Sequence, residues 1–273
     1  MLRLENLNMI FAAGTADEYH ALKNISLTVR QGDFITIIGS NGAGKSTLYN
    51  AIAGTCIPSS GRIFIKDEKE ALERDITREA EYRRARYIGR IFQNPLMGTA
   101  GKMSLEDNMM ICRKKGYKGL RISLDKAMRE TFREQLRVLG MGLENRLRDN
   151  VDLFSGGQRQ ALTLLMTVMS RPSLLLLDEH TAALDPRNAE LIMDLSLRFA
   201  ADYNLTVMMI THNMAHALEF GNRLLMMDGG EIILDIDAAE KAKLSTGDIV
   251  QRFRDIKKKE LANDGILLSE FEP

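Results

Sequence analysis

The chain has 273 residues, 45% hydrophobic and 27% charged, which excludes disordered, collagen-like and coiled-coil architectures and leaves a globular protein with material for a sizeable core. Lysine plus arginine and aspartate plus glutamate both number 37, so the formal net charge is zero and no global basic field exists to draw the chain onto nucleic acid. Cys56 and Cys112 are too few for a disulfide scaffold and belong to no Cys/His cluster, which points to a reducing, cytoplasmic setting.

In chain order, residues 2–7 alternate as a half-buried strand does, and Arg3 and Glu5 interrupt the apolar run that an export signal would need. Residues 25–29 alternate likewise, whereas 34–38 are continuously apolar, as expected of a buried central strand. A helical run, 48–53, and strands at 62–65 and 86–92 follow. Between 103 and 153 the pattern is helical only, with Leu124, Met128, Phe132, Leu136 and Leu139 on one face and Gly140 and Gly142 closing the segment. Strands are expected again at 174–177, 207–210 and 224–227, the last turning through Asp228, Gly229 and Gly230 into a hairpin with 231–234. This is an α/β protein whose parallel core uses the strands at 34, 174 and 207. The longest apolar stretches fall short of the roughly 18 residues that cross a bilayer, so a membrane role must come through a partner chain. Beyond 241, Val250, Phe253, Ile256 and Leu261 form a helical stripe beside Lys257, Lys258 and Lys259, read as a terminal helix packed on its own core, the alternative being a contact with the partner chain or anionic lipid headgroups.

The first chemistry is Gly39-Ser40-Asn41-Gly42-Ala43-Gly44-Lys45-Ser46-Thr47, which fits G-x-x-x-x-G-K-[ST] between a strand and a helix. Such a loop curls tightly, so that successive N–H groups and the helix N-terminus face phosphates. Lys45 adds an exposed point charge, and Ser46 offers a hydroxyl to Mg²⁺. A P-loop also needs a carboxylate at the end of a neighbouring strand, and Asp178 supplies one after four leucines. Glu179 follows at once; adjacent side chains at a strand end diverge, so one acid can face the metal while the other acts as general base on water.

Ser155-Gly156-Gly157-Gln158 stands between these motifs and opens an apolar helix, a second place where free N–H groups can meet an anion. With Gln93, Asp185 and His212 in order, the sequence closely resembles the ATP-binding subunit of an ABC transporter over residues 2 to 235. The resemblance implies a P-loop ATPase core at 1–240, with an N-terminal antiparallel β subdomain and a helical subdomain inserted at about 103–170, then a C-terminal helical extension at 241–273. It implies that ATP is bound by Phe11 and by Gly39 through Thr47, with Ser155, Gly156, Gly157, Gln158 and Asp185 reaching it from a second copy of the chain. Glu179, His212 and Gln93 become catalytic, and Ser46, Gln93 and Asp178 serve Mg²⁺. Tyr19 is the alternative to Phe11 as the aromatic that stacks on adenine, while His20, His180 and His216 are packing or surface residues. Phe154 replaces the usual smaller aliphatic residue and should alter packing behind the Ser155 helix.

The implied partners are a second copy, transmembrane permease subunits and, indirectly, a substrate-binding protein, with no nucleic acid; the site of action is the cytoplasmic face of the membrane. The permease would insert coupling helices near Gln93, and residues 94–108 are expected to form a flexible landing loop. The segments 93–100 and 178–186 look most similar to ATPases of bacterial importers associated with aromatic amino acids or related small solutes. The alternatives are a lipoprotein-release exporter ATPase and an ABC ATPase serving nucleic acid or ribosomes. The second usually carries a long coiled-coil insertion or paired cassettes, and neither is present.

Overall fold

A computed structural model describes residues 1–66, 72–113 and 124–256. Strand β1 (Leu2–Phe11) pairs antiparallel with β2 (Tyr19–Val29); β3 (Phe34–Gly39) begins a second sheet and leads to helix α1 (Lys45–Ala53). Strands β4 (Ser60–Ile65) and β5 (Arg74–Asp75) complete an antiparallel sheet of order β2-β1-β4-β5. The chain continues through α2 (Glu81–Arg84), β6 (Ile88–Ile91), α3 (Leu105–Arg113), α4 (Lys126–Arg137), α5 (Gly156–Met169), β7 (Leu174–Asp178) and α6 (Pro186–Asp202). Strand β8 (Thr206–Ile210), α7 (Met214–Glu219), β9 (Arg223–Asp228), β10 (Glu231–Ile236) and α8 (Ala238–Lys241) follow.

The first strand outruns the expected residues 2–7 because its burial changes phase. Leu2 and Leu4 face inward from even positions, Leu7 and Met9 from odd ones. A register shift between Leu4 and Leu7, with Asn6 at φ 46°, absorbs one residue and returns both halves to the same core. Asn24, at φ 51°, stands at the corresponding break in β2, which begins six residues ahead of the expected start at 25. Strand β5, two residues long, has no periodicity to betray it.

The second sheet runs β10-β9-β3-β8-β7-β6. The three strands expected at its centre lie together as β3-β8-β7, and the parallel set extends to β9 on one side and β6 on the other. Strand β10 alone is antiparallel, joined to β9 by the expected hairpin. Leu174, Leu176, Met208 and Ile210 pack toward the first sheet and α1, while Leu175, Leu177, Val207 and Met209 pack toward the helices. Burial on both faces is why these strands read as unbroken apolar runs.

In the helical segment, Phe132, Leu136 and Leu139 are fully buried, and Leu124 and Met128 pack at the edge of the same cluster. The segment is not helical throughout: 3-10 turns at Leu143–Asn145 and Val151–Leu153 and an antiparallel bridge between Ser104 and Asn150 interrupt it. Phe154 is buried in this cluster with the Arg146 guanidinium 4.5 Å above its ring. Residues 100–104 are tied down: the buried Asn108 side chain accepts from the Ala100 N–H and donates to the Ala100 and Ser104 carbonyls, and α3 begins at Leu105. The expected loop therefore ends earlier than 108.

Residues 246–256 are helical and packed on the core as expected, anchored by Ile249, with Phe253 of the expected stripe at the cluster's edge. Lys257, Lys258, Lys259 and Leu261 lie outside the described residues. Among the described residues no helix is long and apolar enough to cross a membrane.

Candidate functional site

Strand β3 delivers the glycine-rich loop to the C-terminal edge of the sheet. Gly39 sits at φ 154° where a Cβ would lie 2.1 Å from the Met227 carbonyl oxygen, so β9 leaves no room for a side chain. The Ser40 hydroxyl donates to Asp228 Oδ1 at 2.7 Å, closing the loop against the β9 end. Helix α1 begins after Gly44 with no side-chain cap, so its first N–H groups remain available to an anion. Asn41, Gly42 and Ser46 are exposed, Thr47 half-buried and Ala43 buried.

Lys45 departs from the expected exposed charge. It is only 6% exposed, and its Nζ donates to the Gly39 and Ser40 carbonyls at 2.8 and 2.9 Å. Burial lowers its pKa, and the negative charges of Glu179 and Asp178 oppose that shift. The ammonium is thereby held inside the curl of the loop, within the field of both acids.

The two acids diverge, as adjacent positions at a strand end require. Asp178 Oδ2 accepts from Arg90 Nη2 at 3.0 Å, and Arg90 Nη1 donates to Asn50 Oδ1 at 2.7 Å. Glu179 takes φ 47°, its N–H bonded to the Ile210 carbonyl of β8, and its Oε1 lies 2.5 Å from His212 Nε2. A left-handed backbone at a non-glycine residue stores strain of about 1–3 kcal/mol, a feature found where function dictates direction. His212 follows the neighbouring strand β8, so the parallel β7-β8 pairing brings together two residues distant in sequence.

Gln93 is exposed just beyond β6. Ser155 caps α5 in a reciprocal box: its hydroxyl accepts from the Gln158 N–H at 3.3 Å, and Gln158 Oε1 accepts from the Ser155 N–H at 3.1 Å. One of the amides expected to be free is therefore occupied. Gly156 is exposed; Gly157 packs so closely that a Cβ would lie 2.6 Å from the Asn188 side chain. Asp185 caps α6 and holds that same Asn188 through Nδ2 at 2.6 Å, a bond that lowers the acid's pKa. The Ser155 and Asp185 segments thus form one surface.

Phe11 and Tyr19 are cross-strand partners at the end of the β1-β2 pair, both exposed, and the Tyr19 hydroxyl donates to the Gly42 carbonyl at 3.0 Å. His180 is buried and bonds Ser196 Oγ through Nε2 at 3.0 Å, His20 meets Asn8, and His216 lies on Phe220, in keeping with packing roles. Sequence reasoning missed Arg90, Asn50, Asn188 and Gln160. None carries a motif, because each acts through a partner that only the folded chain brings near.

The family model described as ABC transporter matches residues 22–182. The tyrosine transport ATP-binding protein of Clostridioides difficile (strain R20291) is 37% identical over 256 residues, spanning 93% of this chain and 98% of that protein. A dimeric ATP-binding cassette in a post-hydrolysis state, bound to ADP and Pi, superposes with a TM-score of 0.69 at 25% identity over 87% of this chain and 99% of its own. The cbiO1 protein of Clostridium perfringens, part of the ABC transporter complex cbiONQ, gives a TM-score of 0.69 at 26% identity over 98% of both chains. With the glycine-rich loop, the paired acids and the Ser155 helix in this arrangement, the chain belongs to the ABC transporter family as an ATP-binding, ATP-hydrolysing subunit.

Proposed function

We propose that this ATPase drives a small solute, an amino acid such as an aromatic one, inward through a separate permease at the cytoplasmic face of the membrane. The name of the tyrosine transport relative supports the solute class, and the cbiONQ complex supports assembly with other subunits. The permease and a substrate-binding protein read the solute. ATP is sandwiched between Gly39 through Thr47 of one chain and Ser155, Gly156, Gly157, Gln158 and Asp185 of a second copy. Phe11 or Tyr19 stacks on the adenine, and the Tyr19 bond to Gly42 favours the tyrosine as the better-anchored ring.

The observation that carries the mechanism is the 2.5 Å contact between Glu179 and His212 beside the acid-facing Lys45. Glu179 accepts a proton from water as the water oxygen bonds the γ-phosphorus and the bond to the β-phosphate oxygen breaks, releasing ADP and phosphate. His212 orients Glu179 and the γ-phosphate, Gln93 orients the water, and Lys45 steadies charge on the phosphates. The donors near the loop suit Mg²⁺: the Ser46 hydroxyl and the Asp178 carboxylate offer only hard oxygens. Mg²⁺, when bound, neutralises phosphate charge, with Ser46, Asp178 and Gln93 as its holders.

Glu179→Gln keeps the side chain's shape and removes the base, so it should bind ATP, hydrolyse it slowly and persist as a dimer. Light scattering tests this: dimer mass with Mg-ATP and monomer mass with Mg-ADP is expected, and monomer mass in both while ATP is bound refutes the clamp.

A further inference from the structure

Strands β6 and β7 pair in parallel up to Ile91 and Leu177 and then part, one into the Gln93 loop and the other into the turn at Glu179. Just past that last rung, a single side chain spans the gap. Gln160 Nε2 donates to the Phe92 carbonyl at 3.0 Å and to the His180 carbonyl at 2.7 Å. Both acceptors are carbonyl oxygens, which settles the orientation of the amide: the nitrogen must face them. Gln160 is 1% exposed, and its Oε1 finds no partner among the described residues. A buried amide with an idle oxygen is costly, so the value of this side chain lies in the two bonds its nitrogen makes.

Phe92 immediately precedes Gln93, and His180 immediately follows Glu179. Gln160 itself belongs to α5, the helix capped by Ser155. Three segments meet at one nitrogen: the Gln93 loop, the Glu179 turn and the helix whose N-terminus faces the second copy's nucleotide.

We propose that Gln160 is a positioning residue for hydrolysis, tying the seating of α5 to the relative placement of Gln93 and Glu179. This rests on the reading given above of those two residues. When the α5 terminus engages the nucleotide across the dimer, its shift along the helix axis is carried by the Gln160 amide to both carbonyls. The water-orienting side chain and the base then move as one unit. Losing the bridge leaves ATP binding intact, because the side-chain bonds of Gln160 go to the Phe92 and His180 carbonyls and not to the glycine-rich loop, and it lets Gln93 and Glu179 drift apart.

The test is Gln160→Met, which keeps the length and apolar stem and removes both donors. The expected result is a kcat lower by roughly tenfold or more with KM for ATP within about twofold of the parent. ATP-dependent dimerisation in the Glu179→Gln background should persist. Leu164→Ala, a buried core truncation on the same helix, supplies a destabilised control that should leave kcat near the parent value. A Gln160→Met kcat near the parent's, or an equal fall in Leu164→Ala, overturns the proposal. If Gln160→Met does not fold, Gln160→Asn carries the same test with both donors on a shorter stem; kcat should fall at constant KM, and parent-like turnover overturns the proposal. Glu179→Gln measured alongside separates the two ideas: full turnover in that variant removes the underlying site reading, whatever Gln160 does.

Discussion

The Arg90 guanidinium holds the Asp178 carboxylate at 3.0 Å, so the acid at the end of β7 already carries a cation from the neighbouring strand. Asn50 on α1 bonds the other arm of the guanidinium, and the Phe92 ring lies 4.7 Å beneath it. Both charges are only 12 and 14% exposed, which makes the pair stronger than a surface bridge and costly to break from one side.

Arg90→Met should therefore lower stability by about 3 kcal/mol, because it strands a poorly solvated carboxylate. It should also lower the Mg²⁺ concentration needed for half-maximal turnover, since the competing positive charge is gone. Urea unfolding checks the first outcome and a Mg²⁺ titration the second; an unchanged Mg²⁺ requirement shows that Arg90 does not compete for Asp178.

Mixing a Ser155→Arg chain with a Lys45→Ala chain creates dimers with one intact composite site and one doubly damaged site. ATPase activity should reappear in the mixture and rise with chain concentration, since assembly follows mass action. Each homodimer should be inactive. An inactive mixture in which heterodimers are demonstrated contradicts a site shared between chains.

The histidine after Glu179 predicts acid sensitivity. Burial pushes the His180 imidazole from 6.5 down to about 4, so the unfolded chain binds the extra proton across that window. The sign follows: stability is fully present above pH 6.5 and is lost as pH falls toward 4, by on the order of 3 kcal/mol. Urea midpoints at pH 7 and pH 5 should differ less in His180→Gln than in the parent; an identical acid slope assigns the effect elsewhere.

Tyr19→Ala should weaken ATP binding several-fold more than Phe11→Ala, because it removes both a ring and the bond to Gly42. Tyr19→Phe keeps the ring and should fall between parent and Tyr19→Ala. Fluorescent-nucleotide titration distinguishes them, and a larger loss in Phe11→Ala returns the stacking role to Phe11.

The elements legible in the sequence are those whose signal is local. The loop from Gly39 to Thr47 carries its chemistry in consecutive residues; four leucines before Asp178 announce a strand buried on both faces; Ser155 and Gln158 spell a helix start at the spacing a capping box needs. The limits of β1 and β2 were not legible, because bulges at Asn6 and Asn24 shift the alternation, and a change of phase looks like the end of a strand. Lys45 was misread as exposed, since its burial comes from carbonyls of its own curled loop and from acids that β7 brings close. Arg90 with Asp178 are separated by 88 positions, and Gln160 reaches carbonyls 68 and 20 positions away. No periodicity links such positions: parallel pairing and helix packing choose the neighbours, and a buried side chain takes its partner from whatever the assembled sheet places within reach.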